Sequence, residues 1–138
     1  MEHLPAFAWN SCPFCVEYSI PLVERFYGLN SPEMASELNN LGCSELRQNK
    51  LDSAEPHILQ AIGILEKTLG KSSTPYGLAA LNMAEIYELR QNPAQSIVWY
   101  RRAISSFDET LGSKNSLSQK IAERCKTLKM SRQANSRL

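Results

Sequence analysis

Apolar and polar positions along this chain follow a helical rhythm, and the rhythm recurs. Between Ala54 and Gly70, the apolar and small residues Ala54, Ile58, Ala61, Ile62, Leu65 and Leu69 fall at spacings of 4, 3, 1, 3 and 4. Those spacings place them on one stripe of an α-helix. Moving 42 residues forward puts Ser96, Tyr100, Ala103, Ile104, Phe107 and Leu111 in the same places, and Gly70 becomes Gly112. Moving 42 back gives Cys12, Val16, Ser19, Ile20, Val23 and Tyr27, with Gly28 at the end. Small matches small, large matches large and Gly matches Gly. A fixed period of this length predicts stacked repeats, in which no single unit can bury its own apolar face.

A second kind of helix precedes each full copy of the stripe. Ser31 is placed to cap it, Pro32 to occupy its first position and Glu33 its first turn, with Leu38, Leu41, Gly42 and Glu45 on one side. Its counterpart follows Thr74 and Pro75, with Ala80, Met83, Ala84 and Tyr87 facing inward. The segment from Pro to LRQN repeats at 43 (Pro32 to Pro75, Asn49 to Asn92), whereas the stripe and the glycines repeat at 42. A period of 42 pairs Gly42 with Ala84, where close helix crossing needs a small residue. The loop before the second such helix is therefore expected to be one residue longer and the turn after it one shorter.

Pro21 lies inside the first stripe and is expected to kink or split that helix, or else Ser19 caps a short helix opening at Pro21. Gly63 and Ser105 stand at the equivalent places, so each copy is expected to loosen there. A last helix, Ser116 to Met130, carries Leu117, Ile121, Cys125 and Leu128 on one face. Lys126 and Lys129 stand where Ala84 and Tyr87 stood. Charge at those places predicts a solvating cap with nothing packed beyond it. The domain plan is an irregular lead-in at 1–11, a helical-repeat domain at 12–130 (incomplete repeat 12–28, repeats 31–70 and 73–112, cap helix 116–130) and a polar tail at 131–138.

Composition narrows the function. Fifteen Lys and Arg against fourteen Asp and Glu leave no net pull toward nucleic acid or an anionic membrane. The apolar runs fall far short of the ~20 residues that cross a bilayer, and no basic residue precedes an apolar segment at the start. Cys12, Cys15, Cys43 and Cys125 are too scattered for a disulfide framework, so reduced thiols and a cytoplasmic location are expected.

The residues that might carry chemistry do not converge. Cys12-Pro-Phe-Cys15 has redox spacing but lacks the strand-to-helix context that such a pair uses. Zinc would need two further ligands, and His3 is the one nearby candidate. His57 has no Ser or Cys placed to be activated and reads as a partly exposed surface residue. Glu45 sits on the inward side, where a dry carboxyl would resist ionising, or reaches solvent past Gly42. Trp9, Trp99, Tyr100 and Phe107 read as packing aromatics, and Arg101 and Arg102 as a solvated pair. No Gly-rich phosphate loop and no paired catalytic carboxylates occur. The chain is read as non-enzymatic, with no cofactor and no metal.

The segments LNNLGCSELRQNKLDSAEPHILQAIGILEKTLG and LNMAEIYELRQNPAQSIVWYRRAISSFDETLG resemble the tetratricopeptide repeat, in the 42-residue variety of kinesin light chains and many adaptor proteins. Leu41, Gly42, Ala54, Ile58 and Ala61 fall on consensus positions, as do Met83, Ala84, Tyr87, Ser96, Tyr100 and Ala103. Glu45 departs from a usual aromatic, and Pro93 from a usual large residue. The resemblance implies an all-α fold, a right-handed superhelix of antiparallel helix hairpins with a C-terminal capping helix, whose first helices line a concave groove that binds peptides. On that reading the partner is a protein or peptide, with no nucleic acid and no membrane.

The sides of the first helices turned away from the core then carry the candidate partner-binding residues. These are Asn39, Asn40, Cys43 and Arg47, then Leu78, Asn82 and Glu85, then Glu123 and Arg124. Asn40, Asn82 and Arg124 form a row across that groove; the amides suit the backbone of an extended peptide, and Arg47 and Arg124 suit a carboxylate. An alternative places the important surface at the start of the chain. The helix before Gly28 copies the second half of a hairpin without its first half, leaving one side of Val16, Ile20 and Val23 without a partner. Leu4 to Trp9 is expected to fold back over it; otherwise residues 4–23 serve self-association, as an oligomerisation element or a fragment of a longer array.

Overall fold

A computed structural model describes the backbone of residues 13–136 and the side chains of residues 19–136. Six helices are described: α1 (Pro13–Tyr27), α2 (Pro32–Arg47), α3 (Leu51–Thr68), α4 (Thr74–Leu89), α5 (Pro93–Leu111) and α6 (Ser116–Ser136). No strand occurs among the described residues. The chain divides into two compact units, Met1–Leu69 and Gly70–Leu138. In the first, α1 packs on α2 and α2 forms an antiparallel hairpin with α3; in the second, α4 and α5 form the hairpin and α6 packs on α5.

Each hairpin closes through one small residue on its first helix. A Cβ on Gly42 would collide with the Ile58 side chain and lie 3.2 Å from the Ala54 carbonyl, so the helices approach where a side chain is absent. In the second hairpin Ala84 is fully buried at the same place, and the Ser96 hydroxyl donates to the Ala84 carbonyl at 2.8 Å. That bond satisfies a polar group in a closed core. The stripe residues Ala54, Ile58, Ala61, Ile62 and Leu65 are buried on α3, as are Ser96, Tyr100, Ala103 and Phe107 on α5. Burying each large member is worth about 2 kcal/mol. Leu69 and Leu111, the last of each stripe, are exposed because they lie at the ends of their helices, beyond the facing element.

The expected difference in loop lengths does not occur. Ser31 and Ser73 are the N-caps of α2 and α4, and Gln48 and Arg90 their C-caps, each pair 42 apart. The backbone of the turns repeats bond for bond: Lys50 N–H donates to the Glu45 carbonyl and Asn92 N–H to the Tyr87 carbonyl, both at 2.8 Å, with Asn49 and Gln91 left-handed at φ 62° and 58°. What slides by one residue is the sequence on an unchanged backbone. Pro moves from the first to the second helical position, and Asn leaves the left-handed site to Gln91 and becomes instead the N-cap of α5, where the Asn92 side chain accepts from Gln95 N–H at 3.3 Å. Gly28, Gly70 and Gly112 end the helices α1, α3 and α5 at φ 88°, 84° and 92°, a conformation that glycine adopts without strain.

Three further expectations change. α1 runs unbroken through Pro21, so neither the split nor a helix opening there forms; the Ser19 hydroxyl donates to the Glu37 carboxylate of α2 instead of capping. Packing along α2 holds the turn that Pro21 deprives of one backbone bond. α3 and α5 likewise continue through Gly63 and Ser105. α6 continues to Ser136, past the expected end at Met130, although every residue beyond Leu128 is exposed up to that point. The residues Leu4 to Trp9, Cys12 and the Cys15 side chain lie outside what is described.

Candidate functional site

The faces of α2, α4 and α6 turned away from their hairpin cores hold the residues singled out from the sequence. On α2, Met34, Ala35, Leu38, Gly42, Ser44 and Leu46 are buried. This leaves Asn39, Asn40 and Cys43 half-buried and Arg47 exposed. On α4, Tyr76, Gly77, Ala79, Ala80, Met83, Ala84 and Ile86 fill the core. Leu78 and Leu89 nonetheless face solvent at 46% and 51% exposure, on either side of the exposed Glu85, and Asn82 is half-buried. Asn39 and Asn82 are not free, since both already interact within the fold. On α6, Glu123 and Arg124 are exposed, and Glu123 lies 3.7 Å from Lys126, one turn along.

Arg124 is not a waiting carboxylate receptor. Its Nε and Nη2 donate to the two oxygens of Glu88 at 2.5 and 3.0 Å, a bidentate pairing that ties α6 to α4. The Tyr100 hydroxyl donates to the same carboxylate at 3.3 Å, bringing α5 into the cluster. Burial, and then the negative charge of Glu88, push the Tyr100 hydroxyl up to about 12, so it stays protonated and remains a donor. The hydrogen bond and charge of Glu88 raise Arg124, which is cationic in any case. Burial also raises the Cys125 thiol on the core side of α6, which keeps it from acting as a thiolate. Glu88 escaped the sequence reading, yet the signal was there: 42 residues before it stands Leu46, so a carboxylate replaces a buried leucine.

Glu45 finds its partner across the first hairpin. Its carboxylate lies 2.5 Å from His57 Nδ1, with 13% of the Glu45 side chain exposed. It therefore neither stands dry and alone nor reaches past Gly42. In the second hairpin the same two places hold Tyr87 and Trp99, and the Arg102 guanidinium covers the Trp99 ring at 4.4 Å. Among the described residues no three His, Cys, Asp or Glu side chains gather in a way that would hold a metal ion. No helix among them is long and apolar enough to cross a membrane.

A family model for the tetratricopeptide repeat matches residues 35–75, a stretch that takes in most of the α2–α3 hairpin and the turn into α4. Residues 35–75 thus carry a tetratricopeptide repeat. Among solved structures, this repeat protein is similar to BtubC (BKLC) from P. vanneervenii, at 13% identity and a TM-score of 0.64 over 91% of the present chain. It spans 58% of the length of that chain, and at this identity the likeness bears on the fold alone. No curated protein matches the sequence. Tetratricopeptide repeats generally mediate protein–protein interaction.

Proposed function

We propose that the chain is a non-catalytic interaction module of the cytoplasm, an adaptor or scaffold piece that binds an extended segment of a partner protein on the outward faces of its first helices. The observation that carries this reading is on α4. Its core face is already full, yet Leu78 and Leu89 remain in solvent beside Asn82 and Glu85. A helix apolar on both faces needs a second surface to cover, and apolar residues interleaved with amides suit a peptide backbone held by hydrogen bonds and anchored by side chains. Asn40, Cys43 and Arg47 on α2 and Glu123 on α6 belong to the same kind of surface.

Arg124 contributes differently: by holding Glu88 it fixes α6 in place, so its removal acts on the fold rather than on a ligand. The test separates the two. Asn40→Ala, Leu78→Ser and Glu85→Ala together are expected to lose a partner captured by the wild-type chain while leaving the melting temperature within about 2 °C. Arg124→Ala is expected to lower the melting temperature. Capture that the triple variant leaves unchanged would remove the α4 face from the account.

A further inference from the structure

The two units carry opposite charge, although the whole chain is nearly neutral. Residues 1–69 hold nine acidic and four basic side chains, whereas residues 70–138 hold five acidic and eleven basic ones. The surface sharpens the contrast at two places. On the acidic unit, α1 presents Leu22 and Phe26 to solvent one turn apart, with Phe26 at 75% exposure, and Leu29 is exposed in the turn that follows. Exposed Glu24 and Glu33 lie on α1 itself and on the first turn of α2. On the basic unit, the far half of α6 shows Lys126, Lys129 and Arg132 around Met130, which is 70% exposed.

We infer that a second copy of this chain covers the α1 face, and that it does so head to tail, with the far half of α6 from one copy on α1 of the next. This interface is separate from the peptide-binding reading of α4. Charge complementarity selects the occupant. An α1–α1 contact would bring two acidic units together, whereas α6 brings three cations to Glu24 and Glu33, which outnumber the one exposed cation beside them on α1, Arg25. Met130 and the aliphatic stems of the lysines meet Leu22 and Phe26, so apolar burial and charge pairing use the same residues. The contact joins different surfaces on the two copies, α6 of one and α1 of the other. Exposed ion pairs are screened by salt, which makes the assembly sensitive to ionic strength.

Sedimentation velocity of the full chain tests this over concentrations of roughly 5 to 500 µM, at about 50 mM and about 500 mM salt. The expected result is a weight-average mass that rises above the 15.5 kDa of one chain at low salt and returns toward it at high salt. Lys126→Glu, Lys129→Glu and Arg132→Glu together should weaken association by at least roughly tenfold, as should Glu24→Lys with Glu33→Lys. Mixing the two variants should restore it. All five positions are exposed, so helix content by circular dichroism should be unchanged. Phe26→Ser should weaken association in either background. A single-chain mass under every condition, or association that survives both charge reversals or strengthens with salt, would overturn the head-to-tail interface.

Discussion

The hairpins α2–α3 and α4–α5 share one backbone and solve its packing with opposite choices of size and polarity. Where the first sets Ala35 in line with Leu65, the second sets Gly77 against Phe107. A Cβ on Gly77 would lie 2.8 Å from the Phe107 ring, so the larger ring is accommodated by the loss of a methyl group on the facing helix. Gly42 against Ile58 becomes Ala84 beside Ser96 and Tyr100. The polar pair moves too. In the first hairpin it is Glu45 with His57; in the second it is Glu88 with Tyr100, one position further along, while Tyr87 and Trp99 occupy the places of Glu45 and His57. That single-step shift decides what the pair does. Glu45 and His57 bond each other and close on the hairpin, whereas Glu88 and Tyr100 offer a half-buried carboxylate to a third helix and receive Arg124. The second hairpin thereby specifies α6 as its neighbour.

Copying one hairpin's choice into the other is the sharpest way to break this comparison. Gly77→Ala pushes a methyl group into a ring that has no freedom to retreat, and about 2 kcal/mol of stability should be lost. Adding Phe107→Leu, which reproduces the Ala35 and Leu65 combination, should recover most of that loss. Urea denaturation of the two variants measures the difference, and a double variant no better than the single one would show that the compensation is illusory.

A comparable effect, by another route, should come from Tyr100. Its ionisation is raised in the folded state, so the native protein holds that proton where the unfolded chain has released it. The associated stability is complete below about pH 10 and fades as pH rises toward about 12, by an amount on the order of 2 kcal/mol. Tyr100→Phe should flatten that part of the stability profile. An unchanged slope between those pH values would mean that neither burial nor Glu88 raises the hydroxyl in solution.

The smallest effect concerns the two left-handed turns. Gln91 occupies with difficulty the conformation that Asn49 tolerates. Gln91→Gly should therefore stabilise by about 1 kcal/mol, and Asn49→Gly by less. Melting temperatures of the two variants decide the order, and equal gains would contradict the account of the sliding asparagine.

Much of this was legible in the residues. The stripe Ala54, Ile58, Ala61, Ile62, Leu65 was readable because helical spacing forces those residues together whatever surrounds them, and the pairing of Gly42 with Ala84 was readable because only small residues fit a close crossing. The candidate site was less so. Leu78 and Glu85 face solvent as the periodicity required. Arg124, however, looked free because the carboxylate that holds it lies 36 residues away on another helix, and no local pattern connects them.

Alone, then, the order of residues settled where α2 to α5 run, which face each buries and that the unit repeats at 42, since all of these follow from local spacing and side-chain size. Only the folded molecule decided that the loops keep one length while the asparagine slides, that α1 stays whole through Pro21 and that Glu88 claims Arg124. Each of these depends on the free energy of contacts between elements, which a helix contributes to but does not contain.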